Sequence, residues 1–172
     1  MFNIVLHEPE KPDNTGNIGR TCVVTGSALH LIYPIGFRLT RTNIHHAGLD
    51  YWERLKCVEH DNYKEFKKYF DEYKLSNGNK NNLWFATTKA HKCYADVEFV
   101  DGDFIMFGKE SKGIPEEILA EDEQHCIRIP MGENERSLNL SNSVAIILYE
   151  ALRQNNFNNL EPYGELHKLK YI

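Results

Sequence analysis

The sequence of the first 36 residues predicts an extended segment, a helical segment and a second extended segment. Residues 2–6 and 28–33 are rich in branched and apolar side chains, which favours β-strands. Between them, the polar residues 14–17 offer helix N-caps, and Gly26 is a typical helix stop. A strand, a helix and a strand in succession indicate a βαβ unit, whose two strands lie parallel. We therefore predict an α/β fold built on a parallel sheet.

The rest of the chain continues this alternation of strands and helices. Residues 103–108 are almost entirely apolar, which is typical of a central strand that is covered on both faces. The last helix, predicted over residues 141–154, has two apolar stripes, so that one can pack on the sheet and the other on a second subunit. The further predictions are strands at 55–58, 83–87 and 126–129, and helices at 41–48, at 61–73 and from Pro115 onward.

Neither an internal repeat nor a linker interrupts this pattern, so we predict a single domain over residues 1–155. Residues 156–172 form a weakly patterned, Asn-rich tail to which we assign no role. The apolar runs are too short to span a bilayer, and the N-terminus lacks the basic segment and the long apolar run of a signal peptide. We expect a cytoplasmic protein without a membrane partner.

Net charge and reactive side chains restrict the possible functions. The net charge of −5 argues against a surface covered with phosphate contacts, so an RNA-binding protein with this sequence would have to gather its cations at one site. None of the four cysteines is part of a C-x-x-C motif, and the chain contains no H-E-x-x-H. We expect reduced, buried thiols and no metal site.

Three polar segments follow predicted strands. They are N-T-G-N-I-G-R at 14–20, F-G-K-E-S-K-G-I-P at 107–115 and R-S-L-N-L-S-N at 136–142. Ligands of parallel α/β sheets bind at the carboxyl ends of the strands, so the three segments can line one cleft. Each segment alone is also compatible with a loop that carries helix caps and solvated charges. None of them contains a P-loop or a G-x-G-x-x-G dinucleotide motif.

In order and spacing, these segments resemble the motifs of the SPOUT methyltransferases, and within them of the small TrmL/YibK-like tRNA 2′-O-methyltransferases. The matches are N-x-G-x-x-x-R at 14–20, F-G-x-E-x-x-G-[IL]-P at 107–115 and I-P-M…R-S-[LM]-N-L-S-N at 129–142. The opening N-I-V-L-x-E-P-E and A-G-L-D-Y at 47–51 also match, and the resemblance covers residues 1–155. It implies a parallel sheet with helices on both faces and a C-terminal trefoil knot, which physical reasoning alone would not select because knots are very rare.

The resemblance also implies a function. It implies a homodimeric enzyme that uses S-adenosylmethionine to methylate a ribose 2′ oxygen in the anticodon loop of tRNA. The expected target is the wobble nucleotide, cytidine or uridine 34, of leucine tRNAs. The family pattern assigns the cofactor contacts to Ala86, Gly108, Ile129 and Ser137. It also brings Arg20 of one subunit to the cofactor site of the other.

A ribose 2′-hydroxyl becomes a good nucleophile only when its proton leaves, so the site needs a base or a group that stabilises the developing negative charge. We assign this stabilisation to Arg20, with an RNA phosphate as proton acceptor, because a guanidinium stays charged and is a poor base. Asn14, Ser137 and Asn139 would orient the ribose and Arg20. Glu110 would hold Arg20 or a backbone amide in place.

Candidate contacts with RNA are cations near the predicted cleft, each of which is alternatively a solvated surface charge. They are Arg38, Arg41, His45, His46, Lys89, Lys92 and Arg136. Three other functions remain compatible with the sequence. They are a SPOUT enzyme that methylates a base or another tRNA or rRNA ribose, a non-catalytic RNA-binding protein with the same fold, and a nucleotide-dependent oxidoreductase.

Overall fold

The computed structural model describes residues 1–37 and 52–168. The strands in this part of the chain are β1 Asn3–His7, β2 Ala28–Ile32, β3 Cys57–His60, β4 Leu83–Ala86, β5 Phe104–Phe107 and β6 Cys126–Ile127. They form one six-stranded sheet in the order β3-β2-β1-β5-β4-β6, and all neighbouring strands are parallel. The predicted α/β fold with a parallel sheet is confirmed.

Helices accompany these strands along the described residues. They are the α-helices α1 Pro12–Thr25, α2 Tyr63–Ser76, α3 Glu116–Glu121 and α4 Leu140–Gln154, and the 3-10 helices Trp52–Arg54, Tyr94–Asp96 and Glu123–His125. Gly26 ends α1, as predicted, with a left-handed φ of 67° that would strain a side chain. Asn62 and Asn139 cap α2 and α4 by accepting hydrogen bonds from backbone N–H groups. No helix within residues 1–37 and 52–168 is long and apolar enough to cross a membrane.

Helices cover both faces of the sheet. α1 and α4 pack with Ile4 and Leu6 of β1 into one hydrophobic cluster, whereas α2 and α3 pack with Val5 into a second one. This division follows from the alternation of side chains along a strand, which sends neighbouring residues to opposite faces. All four residues of β5 are buried between β1 and β4, which confirms the prediction of a central strand. α2 packs inward through its aromatic side chains Phe66 and Phe70.

The predicted start of α1 is wrong. The helix begins at Pro12 rather than within residues 14–17. Proline is favoured at the first helical position because its missing N–H needs no partner there and its φ is already helical. Asn14 is therefore not a cap: it lies in the first turn of α1, and its side chain is available to other segments of the chain.

Other sequence predictions differ from the structure by smaller amounts. The strand predicted at 55–58 lies two residues later, and Pro115 is the N-cap of α3 rather than its first residue. The helix predicted at 41–48 lies outside the described residues. Beyond α4, Phe157 and Leu160 pack against the first hydrophobic cluster. All four cysteines are free, but only two of them are buried.

Candidate active site

A cavity of about 520 Å³ lies at the carboxyl ends of β4, β5 and β6, beside the first turns of α1 and α4. Its lining comes from residues 86–89 and 107–114 and from parts of 127–131 and 136–140, together with Asn14 of α1. Small-molecule sites usually have volumes of about 300–1,000 Å³. Ligands of parallel α/β folds bind at this end of the strands. The cavity is therefore the candidate active site.

The loop after β5, residues 108–113, is called the β5 loop below. A Cβ at Gly108 would overlap the backbone of Gly113 and Ile114. Gly113 has a left-handed φ of 73°, and its N–H donates to the Lys109 carbonyl over 2.8 Å, which closes the turn. Because Gly108 has no side chain, the backbone of Gly113 and Ile114 can pack directly against it, which brings the two ends of the β5 loop together at the cavity.

Asn14 connects α1 to two other walls of the cavity. Its Nδ2 donates to Glu110 Oε1 over 2.8 Å, and its Oδ1 accepts from Asn139 Nδ2 over 3.0 Å. Asn139 Oδ1 in turn accepts from the N–H of Ser141 over 3.0 Å and from its Oγ over 2.7 Å, at the start of α4. One hydrogen-bonded series thus joins segments that lie 96 and 125 residues from Asn14 along the chain.

Both carboxylate oxygens of Glu110 are engaged. Oε1 accepts from α1 as described, and Oε2 accepts from the backbone N–H of Glu10 over 2.9 Å. The sequence predicts that Glu110 holds either Arg20 or a backbone amide, and the amide that it binds is that of Glu10. Next to it, Lys109 Nζ pairs with Glu8 over 2.6 Å, and this carboxylate raises the pKa of Lys109.

The structure places most of the predicted site residues around the cavity. All four residues predicted to contact the cofactor line the cavity, namely Ala86, Gly108, Ile129 and Ser137. The residues assigned to catalysis that line it are Asn14, Glu110, Ser137 and Asn139. Arg20 is exposed on α1 and is not among the described residues that line the cavity.

The candidate RNA-binding residues fall into three groups. Lys89 and Arg136 line the cavity, and Lys89 Nζ forms an ion pair with Glu116 over 2.7 Å. Lys92 is not among the described lining residues, and its Nζ donates to the Gln124 carbonyl over 2.8 Å. The four that lie outside the described residues are Arg38, Arg41, His45 and His46.

The cavity lining is positively charged, although the chain carries a net charge of −5. Its one carboxylate among the described residues is Glu110. Its cations are Lys11, Lys89, Lys109, Lys112 and Arg136. Such a cluster suits a polyanion such as RNA, whose binding depends on cations close to its phosphates.

Several residues at the site were not identified from the sequence. Thr87 and Thr88 line the cavity directly after β4, and the rule that ligands bind at strand ends would have found them. Glu8 and Glu10 belong to a matched motif, but no sequence signal indicates that they contact the β5 loop.

The parallel sheet, the glycine-containing β5 loop and the capped start of α4 around one cavity define a methyltransferase of the SPOUT class. The chain belongs to the SpoU rRNA methylase family, whose profile matches residues 1–149. The family membership predicted from the motifs is thereby confirmed.

Relatives and solved structures resemble the chain over most of its length. The tRNA (cytidine(34)-2′-O)-methyltransferase of Escherichia coli K12 is 44% identical over 155 residues, which cover 90% of this chain and 94% of the relative. A structure solved for the 2-OH methylation of C/U34 on tRNA has a TM-score of 0.81 at 36% identity and covers 91% of this chain and 97% of the other. The SpoU methyltransferase AviRb of Streptomyces viridochromogenes, solved with its cofactor AdoMet, has a TM-score of 0.77 at 21% identity, covers 90% of this chain and 60% of the other, and shares the fold.

Proposed function

We propose that this chain is a tRNA 2′-O-methyltransferase that uses S-adenosylmethionine and modifies nucleotide 34, a cytidine or uridine, in the anticodon loop. The observation that carries the proposal is the hydrogen-bonded series of Asn14, Glu110 and Asn139 beside a cavity of about 520 Å³. The relatives named for this reaction support the same activity. The family resemblance adds leucine tRNAs as the proposed substrates and the cytoplasm as the proposed location.

The residues of the cavity fit S-adenosylmethionine, which combines a flat aromatic base with a polar ribose and amino-acid group. The side chains of Ile127 and Ile129 offer apolar surface, and Ser137 offers a hydroxyl. Gly108 also lines the cavity, where its backbone can contact a ligand. We propose that Ala86, Gly108, Ile129 and Ser137 hold the cofactor, which supplies an electrophilic methyl group when bound.

The protein's own part in the reaction is to position the ribose 2′-hydroxyl and to stabilise the charge that develops as its proton leaves. Asn14 and Asn139 are fixed by bonds to each other and to neighbouring segments, so they can orient the ribose with little loss of freedom. Ser137 lines the cavity near them. The partner subunit's Arg20 would stabilise the developing oxyanion, and an RNA phosphate would accept the proton.

The proposed assembly is a homodimer formed through α1 and α4. These helices pack together on one face of the sheet and present apolar side chains to solvent. Val24 of α1 is 59% exposed, and Ile146 and Tyr149 of α4 are 37% and 47% exposed. A second copy of the chain would cover this surface. It would also give a role to Arg20, which lies on α1 but is not among the described residues lining its own cavity.

The proposed fold includes the trefoil knot that the resemblance implies. After β6, residues 128–139 return to the cavity before α4 packs beside α1. The Arg128 N–H donates to the Lys92 carbonyl, and the Tyr94 N–H donates to the Arg128 carbonyl, each over 2.9 Å. The end of α4 also bonds to the backbone of Phe99. A chain end threaded through the segment between β4 and β5 would make both sets of contacts.

Methyl transfer from labelled S-adenosylmethionine to total bacterial tRNA, followed by nucleoside analysis, tests the proposed activity. We expect 2′-O-methylcytidine or 2′-O-methyluridine at position 34. A methylated base would contradict the ribose chemistry. Methylation of a ribose in ribosomal RNA, the substrate for which the family is named, would contradict tRNA as the substrate. Cofactor binding without transfer to any RNA would favour the non-catalytic RNA-binding protein.

The role of Arg20 across the dimer has a separate test. Arg20→Ala should lower the rate about 100-fold or more, because a group that stabilises the transition state is lost. Mixing Arg20→Ala protein with Asn139→Ala protein should restore part of the activity, since one site of a mixed dimer then carries neither change. Absence of this complementation, with mixed dimers present, would place Arg20 in the cavity of its own subunit.

A further inference from the structure

Residues that the proposed mechanism does not use join two neighbouring loops at the cavity. β1 and β5 lie side by side, so the β1 loop, residues 8–11, runs next to the β5 loop. Glu10 of the β1 loop accepts two hydrogen bonds from Ser111, from its N–H over 2.9 Å and from its Oγ over 2.8 Å. The N–H of Glu10 donates to Glu110 Oε2 over 2.9 Å. Glu10 thus binds two consecutive residues of the β5 loop.

Glu10 is the outer end of the hydrogen-bonded series that continues through Glu110 and Asn14 to Asn139. Its side chain is exposed, and Glu10 is not among the described residues that line the cavity. The influence of the Glu10 side chain on a bound ligand therefore passes through Ser111, which lines the cavity next to Glu110.

The β5 loop has few other contacts that fix its tip. Gly108 and Gly113 lie at its two ends, and glycine backbone loses more conformational freedom on ordering than that of any other residue. Ser111 and Lys112 at the tip are exposed. The ion pair and the backbone bond of Lys109 hold only the start and the end of the loop. The tip depends on Glu10.

A carboxylate suits the position of Glu10 better than other side chains. Ser111 presents two donors, and a carboxylate offers two acceptor oxygens and no donor. Glutamine has one acceptor oxygen and one NH2 donor, so it cannot accept the N–H and the Oγ of Ser111 on two separate oxygens as Glu10 does. The hydrogen bonds from Ser111 lower the pKa of Glu10, because they favour the ionised carboxylate.

We propose that Glu10 is a positioning residue that ties the tip of the β5 loop to the β1 loop and thereby holds Glu110 and Asn14 in place at the cavity. Its effect on S-adenosylmethionine rests on the proposed function. The tie between the two loops does not, and it can be tested without any ligand.

Amide hydrogen exchange of the full-length protein without ligand tests the tie. Glu10→Ala should speed exchange at Ser111 and its neighbours about tenfold, because local opening of the tip becomes easier, and Glu10→Gln should lie between this variant and wild type. Glu59→Ala is the matched control: Glu59 is also exposed and accepts a hydrogen bond, from Tyr33 Oη over 2.7 Å, but it lies on β3 at the edge of the sheet. Unchanged exchange in Glu10→Ala, or an equal change in Glu59→Ala, would overturn the proposal.

Calorimetric titration with S-adenosylmethionine and steady-state methyl transfer test the consequence for the site. Glu10→Ala should raise the Kd about tenfold while kcat changes much less, and the effects of Glu10→Ala and Ser111→Ala should be less than additive in the double variant, because the two residues share one interaction. A Kd equal to that of wild type, despite faster loop exchange, would overturn the positioning role. If wild type itself binds no S-adenosylmethionine, the proposed function fails, and the exchange result still decides whether the tie exists.

Discussion

Two hydrogen-bonded groups of polar side chains in the described part of the chain have different surroundings. Asn14, Glu110 and Asn139 border the cavity at the carboxyl ends of the strands. His30 and His60 form the second group between β2 and β3, where their rings stack with centroids 5.3 Å apart. His30 Nδ1 lies 3.0 Å from His60 Nε2, so one ring donates a hydrogen bond to the other. Asn14 and His60 are each 6% exposed and His30 is 1% exposed, so what distinguishes the first group is the cavity that its members line.

The surroundings decide what each group can do. The rings of Phe66, Tyr69 and Phe104 lie 5.2–6.2 Å from that of His30, centre to centre, and help to enclose it. Burial lowers the pKa of His30 to about 3 and lowers that of His60 as well. A polar group next to a cavity can bind and orient a ligand, whereas an enclosed one contributes to stability and to its dependence on pH. Residue type alone therefore does not identify a functional site.

The largest effect that separates the two groups should come from Asn14→Ala. This change removes a partner from both Glu110 and Asn139, so methyl transfer should fall about 100-fold as the site loses its geometry. Asn17→Ala, at an exposed position on the same helix, should leave the rate unchanged. Steady-state transfer to tRNA measures both. A wild-type rate in Asn14→Ala would mean that Asn14, Glu110 and Asn139 have only a structural role, like the pair of His30 and His60.

The next effect concerns the stability of the enclosed group. His30→Leu leaves the His60 ring nitrogen without its partner in a buried place, so the free energy of unfolding should fall by about 2 kcal/mol while the activity of the folded protein is unchanged. The double variant His30→Leu, His60→Leu leaves no buried ring nitrogen of this pair without a partner, so part of the stability should return. Urea denaturation measures these changes. Equal stability of the wild type and His30→Leu would show that the pair contributes nothing.

The same pair should make stability depend on pH. Both histidines have folded-state pKa values below the ordinary 6.5, so the unfolded chain binds more protons below that pH. The free energy of unfolding should therefore fall as the pH decreases from 6.5 toward the folded-state values, by up to about 1.4 kcal/mol per pH unit for each histidine. Denaturation at several pH values should give a smaller slope for the double leucine variant. Identical slopes would exclude the pair as the cause.

The smallest effect belongs to the charged lining of the cavity. Glu116→Gln removes the partner of Lys89, which then becomes available to an RNA phosphate, so KM for tRNA should fall about twofold at low salt. The neighbouring exposed Glu117 provides the control variant Glu117→Gln. Kinetics at two salt concentrations would measure the difference, which should disappear at high salt. A KM that rises in Glu116→Gln would indicate that the ion pair positions Lys89 for RNA.

Features that depend on local patterns were predictable from the sequence. The aromatic period of α2 and the apolar run of β5 each determine which side chains face the core. The start of α1 was not predictable in this way, because residues 14–17 contain typical capping side chains and only tertiary contacts give Asn14 its partners. The helix begins at Pro12 and not at these residues, because proline suits the first helical position.

Features that depend on strand register were not predictable. His30 and His60 meet because β2 and β3 pair in a register that no single-sequence pattern specifies, whereas the cluster visible in the sequence is His45-His46. Glu10 and Glu110 are 100 residues apart. Their contact follows from the neighbouring positions of β1 and β5 in the sheet.

The central position of β1 has a consequence for folding. β1 ends at His7 and its partner β5 ends at Phe107, so the two can pair only after the 100 residues that separate these ends have been made. Closing so long a loop costs entropy, and folds rich in such distant contacts form slowly. Asn139 must arrive later still before the cavity is complete. A nascent chain can therefore assemble much of its sheet before it has any binding site, and a fragment that stops short of α4 should never acquire one.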